Sequence, residues 1–159
     1  MDGVELRRAV PEDAAAIARV HLQSWREAYS HIMSPGWMSR LSADERLERW
    51  TAMLAEGASP LLVLVDGEVV GFAEHGASRD TDPPRAHELY SLYLLEAHQG
   101  RGLGRALLEG AIGTGPAMLY VLERNERAIG FYRACGFAPD GHTTTLPYWE
   151  DVVDVRMVR

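Results

Sequence analysis

The sequence predicts a mixed α/β domain built on one sheet with a long antiparallel part. Three observations carry that prediction. Strand and helix patterns follow one another as β-α-α-β-β-β-α-β-α-β-β over 159 residues, a length that suits one domain, 1–159, with one core. Three consecutive strands, two of them joined by the hairpin turn Asp66-Gly67, come before a glycine-rich turn. That turn, Gln99-Gly-Arg-Gly-Leu-Gly-Arg105, receives the apolar strand Glu88–Leu94 and opens the helix Ala106-Leu107-Leu108-Glu109.

In chain order, Val4 to Val10 reads as the first strand. Pro11-Glu12-Asp13 is a helix start, with proline at the first helical position and acids in the first turn. Val10 falls at the N-cap and offers no oxygen there, a loss of ~1 kcal/mol relative to Ser or Thr. Ile17, Ala18, His21, Trp25 and Ala28 recur at helical spacing, so the helix reaches about Tyr29. Ser34-Pro35-Gly36 breaks the chain, and a second helical pattern, in one or two pieces, runs through Trp37, Leu41, Trp50 and Leu54 to Gly57. Pro60–Val65 and Glu68–Ala77 form the hairpin, and Arg79–Arg85 is a surface loop. After the glycine turn the helix stops at Gly113, Ala117–Leu122 is a strand, and Asn125–Cys135 is a short helix ended by Gly136. A strand begins at Phe137, His142–Asp151 reads as a loop, and Val152–Val158 is the last strand.

Charge and composition narrow the function. A formal net charge of −7 argues against a nucleic-acid partner, because phosphate backbones select basic surfaces. Cys135 is the one cysteine, so neither a disulfide framework nor a zinc cage is expected. The six histidines show no metal-ligand spacing, and no metal is expected. No apolar run is long enough to span a bilayer, and Met-Asp-Gly-Val-Glu lacks the regions of a signal peptide, so the chain is expected to be cytoplasmic and without membrane contact.

The glycine turn is the strongest chemical signal. Its glycines allow close backbone approach, and the first amides of the following helix have no intrahelical partner, which suits an anion. Arg101 and Arg105 add positive charge. A phosphate loop of the Gly-Lys-Ser/Thr type does not fit Gly104-Arg105-Ala106, and the dinucleotide fingerprint fails at Arg105 and Leu107. A tight turn with no ligand remains the alternative on these residues alone.

Gln99-Gly-Arg-Gly-Leu-Gly104 resembles the Gln/Arg-x-x-Gly-x-Gly/Ala motif of the GNAT family of N-acetyltransferases. The preceding strand is similar to that family's fourth, and Asn125 with Ala128-Ile-Gly-Phe-Tyr132-Arg-Ala-Cys-Gly-Phe137 is similar to its segment after strand five. The resemblance implies acetyl-coenzyme A as donor, its pyrophosphate on the backbone amides of Gly100, Arg101, Gly102, Leu103, Gly104 and Arg105, with Gln99 among the cofactor-binding residues. It implies that the pantetheine arm pairs with the strand edge at Leu92, Tyr93 and Leu94, with the Leu94 amide polarising the thioester, and that Asn125 touches the arm. Asn125 is also a plain helix cap on its own residues. The implied reaction is acetyl transfer to the amine of a small molecule or peptide. Tyr132 matches the family's proton donor to the leaving thiolate, and Glu88 is the expected base, with Glu74 and Glu123 in reserve. Trp25 and Tyr29 are expected on the acceptor side, where aromatics beside carboxylates suit a cationic amine. Trp37 and His21 are read as packing, and Ser78-Arg79-Asp80 as holding a substrate carboxylate or nothing. A homodimer through the late strands is implied as well. The competing reading is a non-catalytic acyl-coenzyme A sensor, which would have no use for a placed acid at Tyr132.

Overall fold

The computed structural model describes residues 3–159; Met1 and Asp2, which begin the stretch read for a signal peptide, lie outside the described residues. The elements are β1 (Val4–Arg8), a 3₁₀ turn at Pro11–Asp13, α1 (Ala14–Tyr29), α2 (Pro35–Ser39), α3 (Ala43–Ala55), β2 (Leu61–Val65), β3 (Glu68–Ala77) and β4 (His87–Leu94). There follow α4 (Leu103–Ile112), β5 (Met118–Leu122), α5 (Glu126–Ala134), β6 (Ala138–Leu146) and β7 (Val152–Val158). Seven strands make one sheet in the order β1-β2-β3-β4-β5-β7-β6, with β4 and β5 parallel and the other neighbours antiparallel. The mixed α/β prediction holds.

Local chemistry explains the boundaries. Val10 has no cap oxygen, and Asp13 compensates: its carboxylate accepts the Val10 amide at 2.8 Å and two bonds from Arg7 at 2.8 and 2.9 Å. The Trp37–Leu54 pattern divides into two helices because two serines each start one. Ser34 Oγ accepts from the Trp37 amide and Ser42 Oγ from the Glu45 amide. The expected loop His142–Asp151 is corrected: β6 continues to Leu146, paired with β7 from Thr143↔Val155 to Leu146↔Val152. Three β-branched threonines favour extension, and Gly141, at φ +91°, sits in the register shift that breaks the ladder just before them. β6 is the outer edge, exposed from Ala138 to Thr145.

Alternation along the strands sorts the two faces of the sheet. Phe72 and its cross-strand partner Tyr93 turn toward α1 and α3, where Phe72 meets His21 and Trp50 ring to ring. Their neighbours Gly71 and Leu94 face α4. Ile17, Val20, Trp50, Leu54, Phe72, Leu103, Leu107 and Leu108 are all buried in the core around these layers. None of the helices among the described residues is long and apolar enough to cross a membrane.

The feature that positions the site is a seam in the sheet. β4 and β5 pair only through Glu88↔Met118 and Leu89↔Leu119. On the other side of β4 the register with β3 jumps from Glu74↔Ser91 to His75↔Leu89, which leaves Tyr90 as the extra residue of a bulge. A bulge bends its strand and increases the local twist, so the remainder of β4 turns away from β5. From Tyr90 to Leu94 the β5-facing edge has no strand partner. A clasp ties the two halves of the sheet elsewhere: Asp80, in the β3–β4 loop, accepts from Tyr120 on β5 at 2.7 Å and from Arg156 on β7 at 3.1 Å.

Candidate active site

A cavity of about 1670 Å³ occupies the seam. Its walls include His21, Trp25 and Arg46 from the α1/α3 face and Gly104, Phe131 and Tyr132 from the α4/α5 face, so the opening runs through the sheet. Most of the residues singled out in the sequence meet there: Trp25, Tyr29, Leu92, Tyr93, Leu94, Gln99, Gly100, Gly102, Gly104, Arg105, Asn125 and Tyr132 all line it.

At one end stands the glycine turn. Gly100 and Gly102 have φ of +74° and +79°, a backbone that L side chains rarely adopt. Gly102 occupies the N-cap of α4, and the first intrahelical bond is Ala106 N–H to the Gly102 carbonyl. The amides ahead of it are free of backbone partners, a ready anion cradle. Gly104 is small for a different reason than the expected approach to a ligand: a Cβ there would lie 3.3 Å from the Phe131 ring. Leu103 is buried, so its side chain anchors the turn and only its backbone faces the cradle. The Gln99 side chain is spent on the protein, donating to the Leu94 carbonyl at 2.8 Å and locking strand to turn. Arg105 reaches back to the Ala134 carbonyl, whereas Arg101 is exposed and stands outside the cavity wall.

Along the open edge, Leu95 N–H bonds to Val70 on β3. Amides alternate direction along a strand, so those of Leu94 and Leu92 face the seam. Asn125 Oδ1 accepts the Ala128 amide and caps α5 at the cavity wall, so cap and wall are served by one side chain. Tyr132 is buried on α5, and its hydroxyl has no hydrogen-bond partner among the described residues. Burial above all, then the neighbouring Tyr93 and Cys135, raises its phenol well above the ordinary value. Cys135 is buried, and burial also pushes its thiol up, which fits packing.

Glu88, the expected base, does not line the cavity. It is 1% exposed, and both its oxygens are held by Arg79, from the amide and the guanidinium at 2.9 Å each. It sits where β4 and β5 still pair, so its role there is to anchor the loop. Arg79 and Asp80 are likewise occupied internally, by Glu88 and by Tyr120 and Arg156. Five other carboxylates do line the cavity, Glu27, Glu74, Glu96, Glu126 and Asp154, of which Glu74 and Asp154 stand on strands of the sheet. Glu74 accepts from Ser91 Oγ at 2.9 Å, and burial raises its pKa. Asp154 on β7 is pushed up to about 6 by burial.

Residues 22–137 match the sequence model of the Acetyltransferase (GNAT) family. The chain belongs to the GNAT family. It is 37% identical over 139 residues to the uncharacterized N-acetyltransferase YuaI of Bacillus subtilis, covering 82% of this chain and 78% of that protein. It is 35% identical over 144 residues to the aminoglycoside N(6')-acetyltransferase type 1 of Stenotrophomonas maltophilia, covering 83% and 84%. The PaiA N-acetyltransferase of Thermoplasma acidophilum, solved in complex with coenzyme A, shares the fold at a TM-score of 0.67, 20% identity and coverage of 96% and 97%. The expected class, an acetyltransferase that draws on acetyl-coenzyme A, stands.

The wall of this GNAT cavity that was expected to meet the acceptor differs most from expectation. Trp25 and Tyr29 are in the wall, and Trp37 packs beneath them, its ring 5.7 Å from Trp25. Trp149 joins the cluster 4.9 Å from Trp25, while Tyr148 points into solvent and Glu150 bonds Ser34. His21 packs as expected and also reaches the cavity; its Nδ1 accepts the Trp50 Nε1–H at 3.0 Å. Burial, then Arg46 and Arg49, lowers its pKa to about 3. The sequence reading missed Arg46 and Arg49, two charged residues in the charged first half of α3, and Asp154, the one acid in β7. Only the Asp154 interruption was a visible signal.

Proposed function

We propose that this GNAT domain transfers acetyl to the amine of a small molecule or peptide, with Tyr132 as proton donor to the sulfur and Glu74 as the carboxylate that receives the amine. The single observation that carries the reading is the unpartnered Tyr132 hydroxyl in a seam that also exposes free strand amides and a glycine cradle. Acetyl-coenzyme A supplies an activated thioester acyl group. The fit to it is favourable: the amides of the Gly100–Arg105 turn suit a pyrophosphate, and the edge amides of Leu92 and Leu94 suit an extended arm and its carbonyl.

The residues of the chain then divide the proton work. An alkyl ammonium has a pKa of roughly 10.4 and must lose a proton before its lone pair is available. Glu74, raised by burial and facing the acceptor side, holds the ammonium and takes that proton. Asp154 on the opposite wall is a second proton acceptor reached through water. Tyr132 presents a phenol that stays protonated throughout the working pH range, so it is always a donor toward sulfur. Glu88 holds the loop and takes no part in the chemistry.

A thiol-release assay tests this. Tyr132→Phe should lower kcat by about 10²-fold with KM for acetyl-coenzyme A within about twofold, and Glu74→Gln should lower kcat similarly and remove the ascending acid limb of the pH profile. Unchanged kcat in Tyr132→Phe removes Tyr132 from the mechanism. Tight donor binding without any turnover would favour the sensor reading.

A further inference from the structure

We propose that the acceptor carries a carboxylate beside its amine, as an amino acid does; this deepens the acetyltransferase reading and rests on it. Four buried side-chain polar atoms among the described residues lack a well-formed hydrogen bond, and three of them belong to residues of one wall of the cavity: Ser24 Oγ, Arg46 Nε and Trp25 Nε1, the last lying near the Tyr93 hydroxyl without reaching good geometry. Each carries a proton to donate. Buried donors left unpaired are costly, and their concentration at one place marks where an acceptor group of a ligand belongs.

The charges around them agree. The Arg46 guanidinium lies 4.4 Å from the centre of the Trp25 ring, and Arg49 lines the same wall. Neither has a carboxylate within salt-bridge distance among the described residues. Burial and the like charge of Arg49 both press on Arg46, and an anion between them relieves both. His21 adds another donor. Its Nδ1 is taken by Trp50, so the neutral ring carries its proton on Nε2. Arg79 is already committed to Glu88 and leaves the balance of this wall to Arg46 and Arg49.

Glu74, the cavity carboxylate from β3, is close enough to Arg49 to feel its charge but makes no ion pair with it. The cavity therefore offers donors and two cations at this wall, together with the Glu74 carboxylate. A polycation would bring its ammonium groups against two arginines. A molecule with both charges puts its carboxylate on Arg46 and Arg49 and its ammonium on Glu74, the group proposed to take the amine proton. Arginine is suited to the first contact, since its planar fork can hold a carboxylate through two parallel bonds.

The test compares common amino acids with the matching amines that lack the carboxylate, at saturating acetyl-coenzyme A. Amino acids should show kcat/KM about tenfold or more above their decarboxylated counterparts, and Arg49→Gln should reduce that preference to within about threefold. Arg46→Gln should do the same; Arg49, being exposed, is the variant whose fold is secure. Equal or better turnover of the decarboxylated amines overturns the carboxylate site and leaves the acetyltransferase reading intact. If neither set releases thiol, that reading fails, and tryptophan fluorescence titrations with the same two sets in the presence of coenzyme A decide the proposal. Tighter binding of amino acids, lost in Arg49→Gln, supports it, and no difference overturns it.

Discussion

Single residues in this protein are constrained by neighbours that the sequence does not display. His21 was legible as a packed residue because it falls on the apolar face of α1, but its hydrogen bond to Trp50 comes from α3 and has no sequence signal. Its consequence is a pH dependence with a definite sign. The folded pKa of about 3 lies below the unfolded value near 6.5, so the neutral ring stabilises the fold above pH 6.5, and that stability is lost as pH falls toward 3. At pH 5 the loss should be about 2 kcal/mol, measured by urea unfolding against pH 7.5. His21→Asn keeps an acceptor for Trp50 and should flatten that slope. Gly104 is the second such residue. Gly104→Val places side-chain atoms against the Phe131 ring and should cost ~1–3 kcal/mol in thermal or urea unfolding. It should also raise KM for acetyl-coenzyme A, because the turn and α5 share that contact.

Elements were easier to read than residues, and the reason is periodicity. α1 and the hairpin around Asp66-Gly67 announce themselves by local pattern, with boundaries within a few residues of the expectation, and α3 ends near the expected Gly57 although its start at Ala43 was not marked. The extension of β6 was hidden because Gly141 and His142 look like a turn, and only the pairing with β7 makes them part of a strand. The start of α1 shows the same interplay of local and tertiary chemistry. A valine cap is poor, yet Asp13 takes over by bonding Val10 from inside the helix start and holding Arg7 of β1. The pair with Arg7 also keeps the Asp13 carboxyl below its usual range. Asp13→Ala removes both contacts at once and should cost about 1–2 kcal/mol, read as a lower midpoint in urea unfolding with an unchanged slope.

At the scale of the molecule, the fold and the glycine turn at the head of α4 were legible because they rest on three separated motifs whose order along the chain survives folding. The acceptor wall was not, because it is assembled from α1, α3 and β3, and no local pattern tells a solvated arginine from one turned into a cavity. The seam between β4 and β5 gives a whole-molecule expectation. Hydrogen exchange at Leu92 and Leu94 should slow when coenzyme A is added, while Leu62 and Phe72, deep in the near half of the sheet, should change little. Donor at a hundred times its Kd should also add about 2.7 kcal/mol to stability. The seam has a mechanical meaning too. Strand pairing joins the two leaves of the sheet at the foot of a spine, by the pairs at Glu88 and Leu89 with the Asp80 clasp beside them, while side chains such as Arg105, Arg124 and Trp149 bridge the gap above. A donor lying in that gap would join the leaves along its length, so limited proteolysis of the far leaf should slow when coenzyme A is added.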